Sequence, residues 1–293
     1  MRAVIDIGTN SVLLLLAERD ADGKVVVHSD LSRVTRLGQN VAQTRRLDSE
    51  AIKRTLTVLR EYRALVQEHE AQLQVVATEG LRMASNPRAF LEPAADALGQ
   101  PVRLIAGSEE AELSYRSVAQ ELADDELLRV LDIGGGSTEL VAGIGMDVLD
   151  SRSHPIGSVR LTEQYLHNDP PTLSQVAMVA QSSREAFAEQ LLPPQPVLYG
   201  LAGTVTTVAG LLLGLQQYDR KQVDGSRWTA AQVEALRDRL AEQTTKQRSR
   251  SPMLPPGRAD VIVAGTTILV EALRHCGAQT LVVRDRGLRY ALI

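Results

Sequence analysis

"VLDIGGGSTEL", residues 130–140, is the stretch on which the reading of this chain turns. Three consecutive glycines between two apolar runs cost conformational entropy on folding and return no side-chain packing, so the bare backbone must have a use that side chains would obstruct. A relative of the stretch, "VIDIGTNSVLLLL" at 4–16, lies near the amino terminus. Each places an aspartate, Asp6 or Asp132, at the end of an apolar strand, then a turn of small residues, then a second strand. Such a turn presents successive amide N–H groups, and phosphate oxygens are a common occupant of that nest. An aspartate beside a phosphate would repel it unless a divalent cation lay between them, and Mg²⁺ usually joins one or two carboxylates to phosphate oxygens.

Other glycine-rich motifs do not fit. A P-loop needs Gly-Lys-Ser/Thr and a following helix, and a dinucleotide fingerprint also runs into a helix, whereas a strand follows both turns here. A tight hairpin needing positive φ is the plain alternative for either turn alone. It explains less well why two Asp-led turns head two similar segments. A third turn, "GLAGTVTTVAG" at 200–210, puts Gly203 and Thr204 at a helix start, where unpaired amides and the helix dipole favour an anion. Gly-Thr also makes an ordinary helix start.

Outward from the first turn, strands are expected at 2–7, 12–17 and 24–29, with Asp22-Gly23 as a hairpin turn. A helix capped by Asp48 runs to about 68. Strands at 74–77 and 102–105 alternate with helices at about 79–85 and 87–98, and Ser108 reads as the N-cap of a helix to about 122. Around the second turn the pattern restarts, with strands at 127–133, 137–144 and 147–153. Helices follow at about 158–167, 172–191 and 229–242, the last opening on the capping-box pair Thr229 and Gln232. A helix at about 259–276 is apolar on nearly all sides and should be buried. A strand at 280–284 and a short helix from 285 close the chain. The strand and helix alternation implies an α/β fold with mixed sheets covered by helices.

The chain has 293 residues, more than one core comfortably serves. Two domains are expected, 1–124 and 125–293, with the acidic stretch "ADDE" at 123–126 as the boundary and the final helix, about 285–293, a candidate to pack back on the first. The single cysteine, Cys276, excludes an internal disulfide and fits a cytoplasmic setting. No window approaches the roughly 20 apolar residues of a membrane span. A net charge of −4 and 3% aromatic residues argue against nucleic acid as a partner.

Several motifs in order resemble the Ppx/GppA family of exopolyphosphatases and guanosine pentaphosphate phosphohydrolases, within the actin-like ATPase superfamily. They are "AVIDIGTNS", "RLG" at 36–38, "ATEGLRMASN" at 77–86, "GSEEAELSY" at 107–115, "LDIGGGSTEL", "GSVRLTE" at 157–163, "GLAGTVTTVA", "RADVIVAG" at 258–265 and "RDRGLRYALI" at the end. Longer members carry further helical domains after this point, so the chain resembles the short, two-domain form. The resemblance implies two actin-like (ribonuclease H-like) domains with a cleft between them. It also implies hydrolysis of a terminal phosphoanhydride with Mg²⁺ or Mn²⁺, acting on polyphosphate or guanosine pentaphosphate. The scarcity of aromatics to hold a guanine favours polyphosphate; a homodimer is compatible with the sequence.

In-line hydrolysis needs an aimed water and charge neutralisation on the phosphoryl oxygens. Glu110 matches the family's catalytic base, with Glu109 beside it, although acids favour any first helical turn. Asp132 matches the metal-linked aspartate, with Glu139 facing it across the hairpin if the register holds, and Asp6 the equivalent acid of the first turn. Asn10, Ser11, Gly134, Gly135, Gly136, Ser137, Gly203 and Thr204 are expected to bind phosphate. Arg82 stands where the family places a phosphate-facing arginine, and Arg36 and Arg160 are weaker candidates. Lys246, Arg248, Arg250 and Arg258 could guide a polyanion. The five histidines lack metal-ligand spacing. An actin-like kinase and a non-catalytic sensor of (p)ppGpp are the rival readings. The first predicts a phosphate acceptor other than water, the second tight binding without turnover.

Overall fold

A computed structural model describes residues 1–122, 126–191 and 193–293 of the chain. They form two compact units, Met1–Leu113 with Leu288–Ile293, and Ser114–Gly287. The boundary expected at 123–126 falls largely on residues 123–125, outside those described.

In the first unit, β1 (Arg2–Ile7), β2 (Ser11–Arg19) and β3 (Val25–Val34) form an antiparallel meander. Then come α1 (Val41–Thr44), α2 (Ser49–Glu68), β4 (Gln72–Ala77), α3 (Glu79–Arg82), α4 (Arg88–Leu98), β5 (Arg103–Leu104) and α5 (Gly107–Ala119), whose residues from Ser114 onward belong to the second unit. Strands β4 and β5 run parallel to β1, giving the order β3-β2-β1-β4-β5. The Asp48 side chain accepts the amides of Glu50 and Ala51, so α2 starts where the cap residue predicts. Its buried stripe, Leu56, Leu59, Tyr62 and Val66, packs on the β1 and β2 residues Ile5, Ile7, Leu14 and Leu16.

The second unit repeats the plan. Strands β6 (Leu127–Ile133), β7 (Thr138–Ile144) and β8 (Asp147–His154) form a meander, followed by α6 (Ser158–Tyr165), α7 (Leu173–Ala188), β9 (Val197–Leu201), α8 (Ala202–Leu212), α9 (Arg220–Val223), β10 (Arg227–Thr229), α10 (Ala230–Ala241), α11 (Thr245–Arg248), α12 (Ile262–His275) and β11 (Thr280–Val283). Strands β9 and β11 continue the sheet in parallel from β6, and β10 adds an antiparallel edge: β10-β11-β9-β6-β7-β8. Each meander also breaks register at a corresponding point, between Leu16 and Ala17 and between Ala142 and Gly143. The two α/β units thus share the actin-like arrangement that the motifs imply.

Every residue from Ile262 to Leu273 is buried, because α12 packs against α6, α7, α8 and α10. The end of the chain belongs to the first unit. In α13 (Leu288–Ala291) the Arg289 Nη1 donates to Asp30 Oδ1 at 2.6 Å and the Tyr290 hydroxyl to Asp30 Oδ2 at 2.7 Å. Tyr290 and Ile293 pack on Val4 and Leu15.

Some local expectations are corrected. Helix α5 begins at Gly107, so Ser108 is an exposed residue of its first turn and not its N-cap; the Glu110 amide already donates to the Ala106 carbonyl at 2.9 Å. The last helix is one turn, 288–291, because Arg284 and Asp285 instead continue away from β11 with hydrogen bonds to Asp224.

Candidate active site

In the first unit, the turn between β1 and β2 is closed by the Gly8 amide donating to the Ser11 carbonyl at 2.9 Å. Its outward carbonyls are taken by the segment after β3. The Asn10 carbonyl accepts the amides of Thr35 and Arg36, and the Thr9 carbonyl accepts that of Gly38. A side chain at Gly38 would overlap Thr9, and one at Gly80 would press on it at 3.1 Å. "RLG" and "TEG" therefore matter through close backbone approach. Arg36 has φ 55°, a left-handed conformation rare outside glycine, which lets it follow this bend. Asp6, half-buried in central β1, lies opposite Leu13 on β2.

Arg82 and Glu110 meet in this unit. Arg82 Nη1 donates to Glu110 Oε2 at 3.0 Å and to the Ile105 carbonyl at 2.8 Å, while Nε and Nη2 donate to Glu79 Oε2 at 3.2 and 2.9 Å. Burial opposes the Arg82 charge, yet the Glu110 and Glu79 carboxylates lift its pKa above the ordinary value. Glu110, 9% exposed, lies in the first turn of α5, where the helix dipole also favours a carboxylate. Glu109 points elsewhere and pairs with Arg103.

In the second unit, the turn between β6 and β7 repeats the closing bond of the first, with the Gly134 amide donating to the Ser137 carbonyl at 3.0 Å. Here the turn's carbonyls are taken by the start of α6. Gly134 accepts the Ser158 amide at 3.0 Å, and Gly135 accepts those of Val159 and Arg160 at 2.9 and 3.1 Å. Gly157 lies so close to Gly135 and Gly136 that a Cβ there would overlap their backbone. Among the described residues the amides of Gly135, Gly136 and Ser137 have no acceptor, which is the condition for a backbone nest that receives an anion.

The register places Asp132 directly opposite Glu139, so both carboxylates lie on one face beside the turn. Ser114 Oγ donates to Asp132 Oδ2 at 2.6 Å, and Ser153 Oγ, from the strand position paired with Glu139, donates to Glu139 Oε1 at 2.7 Å. Burial pushes the Asp132 carboxyl pKa up, and the Ser114 hydrogen bond offsets part of that. No group of three or more His, Cys, Asp or Glu side chains among the described residues is arranged to hold a metal. The Asp132 and Glu139 pair instead suits a hard cation that completes its shell with phosphate oxygens.

The third turn joins the second through packing. Gly265 of α12 faces both Thr204 and the Cβ of Ser158, the residue bonded to Gly134. Ala202, just before exposed Gly203, has φ 67°, strain that tends to persist at functional positions. Arg258 Nη1 donates to Thr207 Oγ1 at 2.8 Å and to the Gly203 carbonyl at 3.3 Å. Of the expected basic cluster, Arg258 alone touches this turn. Arg248 is corrected outright: it is 4% exposed and donates to the Leu240 carbonyl and Thr245 Oγ1, a structural role that removes it from any polyanion surface.

Sequence reasoning missed Thr9, Gly38, Gly80 and Gly157, the residues that shape the two turns, and Ser114 and Ser153, which grip the carboxylates. The motifs containing Gly38, Gly80, Ser114 and Gly157 were visible, but their partners come from distant segments.

Comparison with known proteins gives a consistent result. Residues 16–293 match the sequence profile of the Ppx/GppA phosphatase family. The chain is 40% identical over 288 residues to exopolyphosphatase 2 of Mycobacterium tuberculosis, covering 93% of this chain and 90% of that one. It is similar to the crystal structure of the Aquifex aeolicus Ppx/GppA family member, with 36% identity, TM-score 0.83 and coverage of 99% and 95%. An exopolyphosphatase from Cytophaga hutchinsonii, 24% identical with TM-score 0.90 over 99% and 95%, shares the fold.

Proposed function

We propose that this chain, which belongs to the Ppx/GppA phosphatase family, releases orthophosphate from the end of inorganic polyphosphate. The observation that carries the reading is the pair of matching turns, each preceded by an aspartate, within a chain 40% identical to a mycobacterial protein named as an exopolyphosphatase. The second turn has three amides without an acceptor among the described residues and two carboxylates at facing positions. That is a donor set for a phosphate together with its counter-cation.

In this reading Glu110 accepts a hydrogen bond from the attacking water and orients it. Its ion pair with Arg82 fixes the Glu110 carboxylate in place, and beyond its bonds to Glu110, Ile105 and Glu79 the guanidinium keeps one Nη2 N–H for a phosphate oxygen. The amides of Gly135, Gly136 and Ser137 bind terminal phosphate oxygens, the first turn contributes Asn10 and Ser11, and Gly203 and Thr204 serve the same end at the start of α8. Asp132 and Glu139 would hold Mg²⁺ or Mn²⁺, with Asp6 the corresponding acid of the first unit. Bound there, the cation would supply charge neutralisation on the phosphate oxygens.

Phosphate release by the purified chain, measured separately with polyphosphate and with guanosine pentaphosphate, tests the assignment. Release from polyphosphate, with at least a hundredfold loss in Glu110→Gln, is expected on the scale of general-base contributions. Preference for guanosine pentaphosphate would reassign the substrate. Inactivity on both would refute the hydrolase reading.

A further inference from the structure

Two facing carboxylates are useful to a cation only if their oxygens are aimed, and hairpin register fixes Cα positions without fixing rotamers. In the second unit each carboxylate accepts a hydrogen bond from a serine hydroxyl. Ser114, with no exposed surface on α5, gives its proton to Asp132 Oδ2 at 2.6 Å. Among the described residues Asp132 Oδ1 accepts no hydrogen bond, although its partner oxygen is held firmly. Across the hairpin, Glu139 is 1% exposed and takes the Ser153 proton on Oε1 at 2.7 Å. The two donors arrive from different elements, α5 and β8, and end on the two acids that share one register position.

We propose that Ser114 and Ser153 are positioning residues that fix the Asp132 and Glu139 carboxylates for a divalent cation. The inference rests on the assignment of Asp132 and Glu139 as cation-holding residues made above. Each serine acts through its carboxylate by restricting its rotation, and Ser114, by occupying Asp132 Oδ2, leaves Oδ1 to be presented. Donors in this outer position typically change metal affinity ten- to a hundredfold when removed. A second buried serine supplies the comparison. Ser117, also without exposed surface on α5, donates at 2.7 Å to the Ser114 carbonyl, not to a carboxylate.

The test is equilibrium binding of Mn²⁺ to the full chain without substrate, read as free Mn²⁺ by electron paramagnetic resonance. Circular dichroism establishes folding for each variant. Ser114→Ala is expected to weaken Mn²⁺ binding at least tenfold, while Ser117→Ala stays within twofold of wild type. If Ser114→Ala does not fold, Ser153→Ala, altered on an edge strand, carries the same test with the same threshold. A smaller loss in the folded variant, an equal loss in Ser117→Ala, or no Mn²⁺ binding by wild type at millimolar concentration would overturn the proposal. Because no phosphate substrate is present, failure here is separable from failure of the hydrolase reading. A wild type that cleaves polyphosphate while Ser114→Ala binds Mn²⁺ normally sinks only this inference, and inactivity with Ser114-dependent Mn²⁺ binding sinks only the other.

Discussion

His154 illustrates how one residue couples this fold to pH. It is 3% exposed at the end of β8, its ring nitrogen lies 3.0 Å from Gln190 Oε1, and it meets Phe187 edge-on at 5.2 Å. Burial lowers its pKa below the ordinary value, so the folded form resists a proton that the unfolded chain accepts. The unfolded state therefore binds more protons as pH falls below about 6.5, and this contribution to stability, complete above that value, declines on acidification. Urea denaturation at pH 8 and pH 5.5 should show a loss at the lower pH that His154→Gln reduces. At this scale the sequence spoke unevenly. Glu110 and Asp132 carry their identity in motifs, whereas Ser114 becomes meaningful only once α5 is brought against β6. A buried arginine such as Arg248 resembles a surface one until its carbonyl acceptors are known.

Among elements, the contact between the glycine turn and α6 is the most exacting. The first amides of α6, which a helix normally leaves without partners, are satisfied by the carbonyls of Gly134 and Gly135. No space remains for a side chain at Gly157. Gly157→Ala should therefore cost about 1–3 kcal/mol, as overpacking does, and reduce phosphate release because the turn amides are displaced. Gly287→Ala, whose added Cβ would meet nothing within 4 Å beyond its chain neighbours, should stay within about 0.5 kcal/mol of wild type in the same denaturation assay. Elements with a local cause were legible: Asp48 caps α2, the Thr229 and Gln232 box opens α10, and the apolar α12 is buried. Short β10, with one half-buried residue between two exposed ones, gave no such signal and owes its existence to pairing with β11.

For the whole molecule, the sequence disclosed two related halves through the two Asp-Ile-Gly turns, and the sheets extend that likeness to strand order and to the break in each meander. The likeness stops where the chemistry diverges. Opposite Asp6 stands Leu13, while opposite Asp132 stands Glu139, so the second carboxylate belongs to one half alone. Asp30, the anchor of α13 in the first unit, was not visible, since it is far away in sequence. Arg289 is 7% exposed, and Arg289→Ala should destabilise the chain by about 3 kcal/mol, read by chemical denaturation, because Asp30 loses its charged partner. Arg289 follows Asp30 by 259 positions. During synthesis Val4 and Leu15 are consequently laid down long before the Tyr290 ring that packs on them, so that this part of the first unit's core is assembled from the two extremes of the order of translation.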